Sequence, residues 1–277
     1  MYARAVCWWT IFRIALEERL VYRGDFALGT LMRFLPIVTQ IFLWWAIFET
    51  VGEGSRDQGT IVGYTFQNMV AYYLLTMISR AFSSMPGLAS GIALQIRNGE
   101  IKKYLVQPVD LIGFTLLNRI AHKLAYYSVA TLPFVLVFFL CRGFFVDGWP
   151  DGPVLAAYIA SLFMGFVLGY FLEVTIGLIG FWFLEVSSLL FLYMLLSFFL
   201  SGHLFPLDML PSPWRQIVDL LPLKYLAYFP SAIFLGKVHS QELVKGLAIE
   251  ATWIVGLMVL SRVMYHRGLK RYSGFGG

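Results

Sequence analysis

Between positions 154 and 200 the chain runs for 47 residues with Glu173 and Glu185 as its sole acidic or basic side chains. As helix this is roughly 70 Å, more than twice the ~30 Å of hydrocarbon in a bilayer. A soluble fold could not hide such a run, because a large part of any small protein's surface stays in water. Two membrane crossings joined by a short turn satisfy both limits. Gly177 and Gly180 weaken the helix, so the turn is expected within residues 173–183. The rest of the chain agrees. It is 59% hydrophobic and 13% charged, whereas soluble domains carry about 25% charged residues. Eight Trp fit rings seated at bilayer interfaces. The net charge of +5 then marks cytoplasmic loops and not a nucleic-acid partner.

Hydropathy predicts four more crossings, at about residues 35–51 (with a start as early as 28), 62–82, 123–140 and 247–264. The fold class is therefore an all-α polytopic integral membrane protein with six transmembrane helices, read as a single transmembrane domain over 1–277. A polar stretch at 52–60 ends the first crossing, and Gly and Pro make a turn of 142–153. Lys and Arg near helix ends set the orientation. Five precede or include Arg33, six lie between Arg80 and Lys123, and four lie from Arg262 onward, while the intervening loops hold Arg56 and Arg142 alone. Both termini and the 80–123 segment are expected in the cytoplasm. Arg215, Lys224, Lys237 and Lys245 run against this pattern, on the outer side. No cleavable signal peptide is evident, since Arg13 and Glu17 interrupt the first apolar run and no small-residue cleavage site follows.

Three segments fit neither lipid nor ordinary loop. Residues 1–27 read as an interfacial helix, whose stripe of Ala5, Trp8, Trp9, Phe12, Leu16 and Leu20 lies on the membrane, with Ile11 and Ile14 on the polar side. It is either a plain anchor or a mechanical element. In the second segment, at 95–111, Asn98-Gly99 signals a turn. Glu100 to Val106 then reads as a short amphipathic helix with Ile101, Tyr104 and Leu105 on one side, stopped by Pro108. On the residues alone this is first a basic juxtamembrane loop, and second a stiff helix that a soluble partner could push. The third segment, 202–230, is too rich in proline to cross and too apolar for a plain loop. Its freed backbone groups need partners in protein or water. Trp214, Ile217, Val218, Leu220 and Leu221 give it a short amphipathic helix. A re-entrant hairpin at the outer face is expected, with a long structured loop as the alternative.

These features together resemble the permease subunits of type-2 ABC exporters, in the branch of short six-helix bacterial permeases. The resemblance covers the whole chain and is most specific at Gly99-Glu100, Tyr104-Leu105 and Gln107-Pro108, and at Ser201-Gly202, Phe205-Pro206-Leu207, Pro211 and Leu221-Pro222-Leu223. Where that branch often has Arg-Pro, this chain has Gln107-Pro108. The resemblance implies that Asn98, Gly99, Glu100, Tyr104, Leu105 and Pro108 form a coupling helix seated in an ABC ATPase subunit. Tyr104 and Leu105 would be its apolar anchors. It implies that Gly202, Phe205, Pro206, Pro211 and Pro222 belong to a re-entrant extracellular hairpin at an outer gate. It further implies a homodimer or a sister permease, a bacterial cytoplasmic membrane, and ATP with Mg held by the partner and not by this chain. Lipids, glycans, peptides and drugs all remain open as substrate.

Other chemistry is absent from the sequence. There is no GxxxxGK[ST] phosphate loop, so no catalytic residue for ATP hydrolysis is expected here. His122, His203, His239 and His266 are scattered without metal-ligand spacing, and Cys7 and Cys141 cannot make a disulfide scaffold. Gly165 and Gly169 form a GxxxG whose spacing is common by chance in apolar helices. Glu173 and Glu185 are expected at solvated ends beside the cytoplasmic turn. An ion-gradient-driven secondary transporter is the alternative function, but such folds usually carry paired repeats, and none is visible. An intramembrane enzyme would need a catalytic constellation that the chain lacks.

Overall fold

The computed structural model describes residues 2–21, 23–52, 59–107, 109–146, 148–183 and 185–272. Outside them fall Arg56 with most of the predicted polar stretch, the predicted helix stop Pro108, and the end of the tail at 273–277. In chain order the α-helices are α1 (Tyr2–Val21), α2 (Arg23–Gly52), α3 (Phe66–Ser83), α4 (Leu88–Arg97), α5 (Lys102–Val106), α6 (Leu111–Leu140), α7 (Gly152–Leu178), α8 (Ser187–Leu200), α9 (Ser212–Asp219), α10 (Tyr228–Phe234) and α11 (Ser240–Arg271). The chain is all-helical, with no strand among the described residues. Among the described residues four stretches are long and apolar enough to cross a membrane, namely Leu28–Thr50, Leu111–Leu140, Gly152–Phe181 and Ser240–Arg271. The chain divides into two compact units, Met1–Ala71 with Tyr104–Val146, and Tyr72–Lys103 with Asp147–Gly277.

In the first unit α1 and α2 pack along α6. The packed face of α1 carries Trp8, Ile11, Phe12, Ala15 and Leu16, at i, i+3, i+4, i+7 and i+8. This face is rotated from the predicted stripe: Trp9 is 65% exposed, and Ile11 turns from the polar side into the contact. Trp8 lies over Gly113 of α6, where an added Cβ would stand 3.1 Å from the indole and the ring would have to give slightly.

Helix α6 begins at Leu111, well before the predicted start at residue 123. Asp110 is its N-cap, and its carboxylate accepts the Gly113 N–H at 2.8 Å. Asn118, Arg119, His122 and Lys123 lower the hydropathy of the first turns, but backbone hydrogen bonding does not require apolar side chains.

The second unit is built on α7 and α11, which pack along each other. Gly268 of α11 lies against the Phe181 ring, where an added Cβ would meet a ring carbon at 2.2 Å. On α7, Gly165, Gly169, Glu173 and Gly177 recur every fourth residue and form one stripe. A Cβ on Gly169 would meet the Ser83 carbonyl oxygen at 2.2 Å, and one on Gly177 the Ala89 carbonyl oxygen at 2.8 Å. The GxxxG spacing is thus a close backbone contact and not a chance pattern. Gly177 does not open a turn. It lets α4 approach, and α7 stays helical to Leu178. The chain leaves the α-helix at the 3-10 turn Ile179–Phe181, which contains Gly180 and falls within the expected 173–183 interval.

Candidate functional site

Residues 98–107 leave α4 through a turn in which Gly99 takes a positive φ of 77°, a conformation that costs side-chain-bearing residues energy. Asn98 caps the end of α4, its backbone N–H bonding back to Leu94 at 2.9 Å. Glu100 pairs with Lys103 at 3.6 Å. The helix starts only at Lys102, so Ile101 stands outside its phase. Of the three side chains that the sequence places together, Ile101 and Tyr104 are buried and Leu105 is not. Ile101 is 0% and Tyr104 7% exposed, and the Tyr104 ring packs on Phe114 with centroids 5.5 Å apart. Leu105 and Val106 point away, at 52% and 84% exposure. Tyr104 is therefore an internal packing residue, while the exposed apolar pair is Leu105 and Val106.

The segment from 201 to 230 is irregular, and α3 supplies its missing backbone partners. The hydroxyls of Tyr72 and Tyr73 donate to the carbonyls of Gly202 and Leu204, and the Ser83 hydroxyl donates to the Leu226 carbonyl at 2.8 Å. The Tyr228 N–H closes the segment on the Ser201 carbonyl at 2.9 Å. Gly202 has φ +80°, and an added Cβ would stand 2.6 Å from Tyr228 Cβ. Pro206 and Pro222 are buried, Phe205 is half-buried, and Pro211 is exposed where it precedes α9. The expected apolar side of α9 splits. Val218 is buried, but Trp214, Ile217 and Leu220 are exposed. Arg215 pairs with Asp208 at 2.9 Å, and Lys224 with Asp219 at 2.7 Å.

Between α3 and α4 the helix is broken at residues 84–87, where Pro86 and Gly87 form a turn and Gly87 has φ +72°. The Glu173 carboxylate of the α7 stripe accepts the Ala89 N–H at 3.3 Å. A carboxylate suits that place, because the first turn of a helix leaves N–H groups unpaired and carries partial positive charge. Glu173 is thus inside α7 and against α4, not at a solvated end. A cavity of about 450 Å³ lies at the break, lined by Arg80, Glu173, Ser84, Tyr193 and Ser197 together with apolar side chains. Tyr193 and Ser197 line it from α8.

Glu185 does lie in the turn after α7, exposed, and pairs with Arg97 at 3.2 Å. The Ser187 hydroxyl and N–H donate to its carboxylate and hold it below the ordinary carboxylate pKa range. A further acid, Glu250, is fully buried in α11. The Ser161 hydroxyl donates to one of its oxygens at 3.2 Å, and the other has no partner among the described residues. Glu250 falls inside the predicted sixth crossing, where window-averaged hydropathy hides a single acid. Arg80 and Tyr193 were equally silent, one at the end of an apolar run and the other inside one. Among the described residues no group of three or more His, Cys, Asp or Glu could hold a metal.

A family model described as ABC-2 family transporter protein matches residues 34–276. No curated protein matches the chain.

Proposed function

Because the chain belongs to the ABC-2 transporter family, we propose that it is the membrane-spanning half of an ATP-driven exporter, powered by a separate ATPase subunit. The protein is a membrane-embedded transport permease. The match over 34–276 carries the reading. Residues 98–108 would be the docking element, and the exposed Leu105 and Val106 support this, because a basic turn with outward apolar side chains suits a protein groove. The ATPase would bind ATP and Mg, and the permease would pair with a second copy or a sister permease. The test is co-purification. A tagged permease from bacterial membranes should recover an ATP-binding cassette subunit, and transport should stop when ATP is depleted. A second reading, transport driven by an ion gradient, draws on the α3–α4 break and on buried Glu250, because such transporters carry broken helices and buried charges. Transport that survives ATP depletion and collapses with the ion gradient would establish it.

The proposed topology has six crossings, made by α2, α3 with α4, α6, α7, α8 and α11, in a bacterial cytoplasmic membrane with both termini inside. Residues 1–27 would lie at the inner interface and 202–230 would re-enter from outside. The Asp208–Arg215 and Asp219–Lys224 pairs support an outer position for that segment, because paired charges weaken the basic signal that opposes it. Short α8, with 14 residues, supports re-entry too, since the hairpin would begin within the bilayer.

Thiol labelling in intact cells checks this topology. Cysteine introduced by Ser212→Cys should react with an impermeant reagent, and native Cys7 should not until the cells are permeabilised. Cys141, near the outer end of α6, should react from outside but slowly near neutral pH. Burial pushes its thiol pKa up, so its thiolate fraction and labelling rate should rise with pH. Protection of residue 212 until permeabilisation would place that segment inside and remove one crossing.

A further inference from the structure

We propose that Glu250 and the oxygens around it bind a single monovalent metal ion, of the sodium or potassium class, where α7, α11 and the end of the proline-rich segment meet. Glu250 lies about 15 Å along α11 from Ser240, and Ser161 about 14 Å along α7 from Gly152. In the proposed topology both helices start at the outer face, so the carboxylate stands near the middle of the bilayer. A charge at that depth is costly unless an opposite charge meets it. Glu250 and Ser161 are both 0% exposed, so bulk water does not reach the pair. The Ser161 hydroxyl donates to Glu250 Oε2 at 3.2 Å, and no basic side chain pairs with the carboxylate among the described residues.

The unpartnered oxygen, Oε1, faces a patch that glycine leaves bare. A Cβ on Gly165 would stand 3.2 Å from the Tyr225 carbonyl oxygen and 4.0 Å from Glu250 Oε1. Tyr225 belongs to the 3-10 turn Pro222–Leu226, so the two oxygens come from different elements and meet over one spot on α7. Both are acceptors, and one carries the uncompensated charge, so a positive ion suits the place. The buried hydroxyls of Tyr225 and of Tyr158, one turn before Ser161 on the same face of α7, also have no partner among the described residues. The donors are all oxygen, the ligand class of hard cations. Among the described residues no group of three His, Cys, Asp or Glu is there for a transition metal. One carboxylate balances one positive charge, and a divalent ion would leave the second charge bare in an apolar core. The bound ion ties the base of the outer segment to α7 and α11.

The experiment melts the purified permease in detergent while NaCl or KCl replaces N-methyl-D-glucamine chloride, at constant ionic strength and pH. The melting temperature should rise saturably, by at least about 3 °C, as the alkali ion fills its site. Glu250→Gln keeps the shape of the side chain and removes its charge. It should melt at or above the native temperature in N-methyl-D-glucamine and gain nothing from either salt. Should that variant fail to fold, Gly165→Ala provides the check. Its methyl group enters the gap beside both oxygens, and it should need at least about tenfold more salt to reach half of the full shift. Equal melting of the native protein in all three salts would mean that Glu250 is neutralised without a bound metal ion, and would overturn the site. Salt dependence that survives in Glu250→Gln, or is unchanged in Gly165→Ala, would place the ion elsewhere and overturn it too. The site is independent of what drives transport, and melting reads it without ATPase or substrate.

Discussion

Gly169→Leu should yield no monodisperse folded permease, whereas Gly256→Ala should melt at or slightly above the native temperature. Both glycines lie inside long apolar helices, so helix propensity alone treats them alike. Their surroundings differ. At Gly169 even a single Cβ would stand 2.2 Å from the Ser83 carbonyl oxygen and 3.5 Å from its Cα. That neighbour is backbone, so no rotamer change can relieve the clash. Either α7 or the end of α3 must move, and Ser83 also holds the Leu226 carbonyl. Overpacking of a tight core costs about 1–3 kcal/mol, and displacement of an anchored backbone adds to it. Against a total stability of roughly 5–15 kcal/mol, a Leu side chain here should be ruinous and Ala merely damaging. At Gly256 nothing lies within 4 Å of an added Cβ, and Ala relieves about 0.5–1 kcal/mol of backbone entropy. Detergent-stability chromatography over a temperature series reads both. Native elution and melting of Gly169→Leu would mean that α7 does not touch Ser83.

That contrast shows what a sequence carries about such a fold. Apolar length is a property of consecutive residues, so the runs that became α2, α6, α7 and α11 were legible, as was the need for partners in the proline-rich segment after α8. Partner identity is not consecutive. The Gly165–Gly169 spacing was visible, but nothing in it named the carbonyls of Tyr225 and Ser83 that stand opposite. Glu173 was read as a solvated end because its neighbours in sequence include two glycines; in space those glycines serve α4 and the carboxylate caps it. The start of α6 was lost for a different reason. Hydropathy averages over a window, and Asp110 with Leu111 and Ile112 was a readable cap signal that Arg119 and Lys123 outweighed. At residues 98–107 an ideal wheel put Ile101, Tyr104 and Leu105 on one side; Ile101 and Tyr104 are buried, but Leu105 follows Tyr104 by about 100° on the same short helix, and the packing on Phe114 takes the Tyr104 side alone.

The split between buried Tyr104 and exposed Leu105 and Val106 also decides which side chains should meet the ATPase. Leu105→Ala with Val106→Ala should leave the permease's melting temperature unchanged and cut ATPase recovery by roughly 30-fold or more, the effect of losing about 2 kcal/mol at an interface hot spot. Transport should fall in step. The two side chains are 52% and 84% exposed, so their truncation removes little from the permease's own packing. Tyr104→Ala should behave oppositely. Its ring lies on Phe114 with only 7% exposed, so its loss opens a cavity that costs about 3–5 kcal/mol of stability if the site cannot collapse, and the melting temperature falls. Any loss of ATPase binding in that variant should track its loss of folded protein. The measurement is a pull-down of the ATPase at matched permease levels, beside a melting curve for each variant. Full recovery by the Leu105/Val106 double variant with transport intact would remove residues 98–108 as the docking element. A melting temperature that falls with the double variant and holds with Tyr104→Ala would reverse the assignment of inward and outward faces on α5.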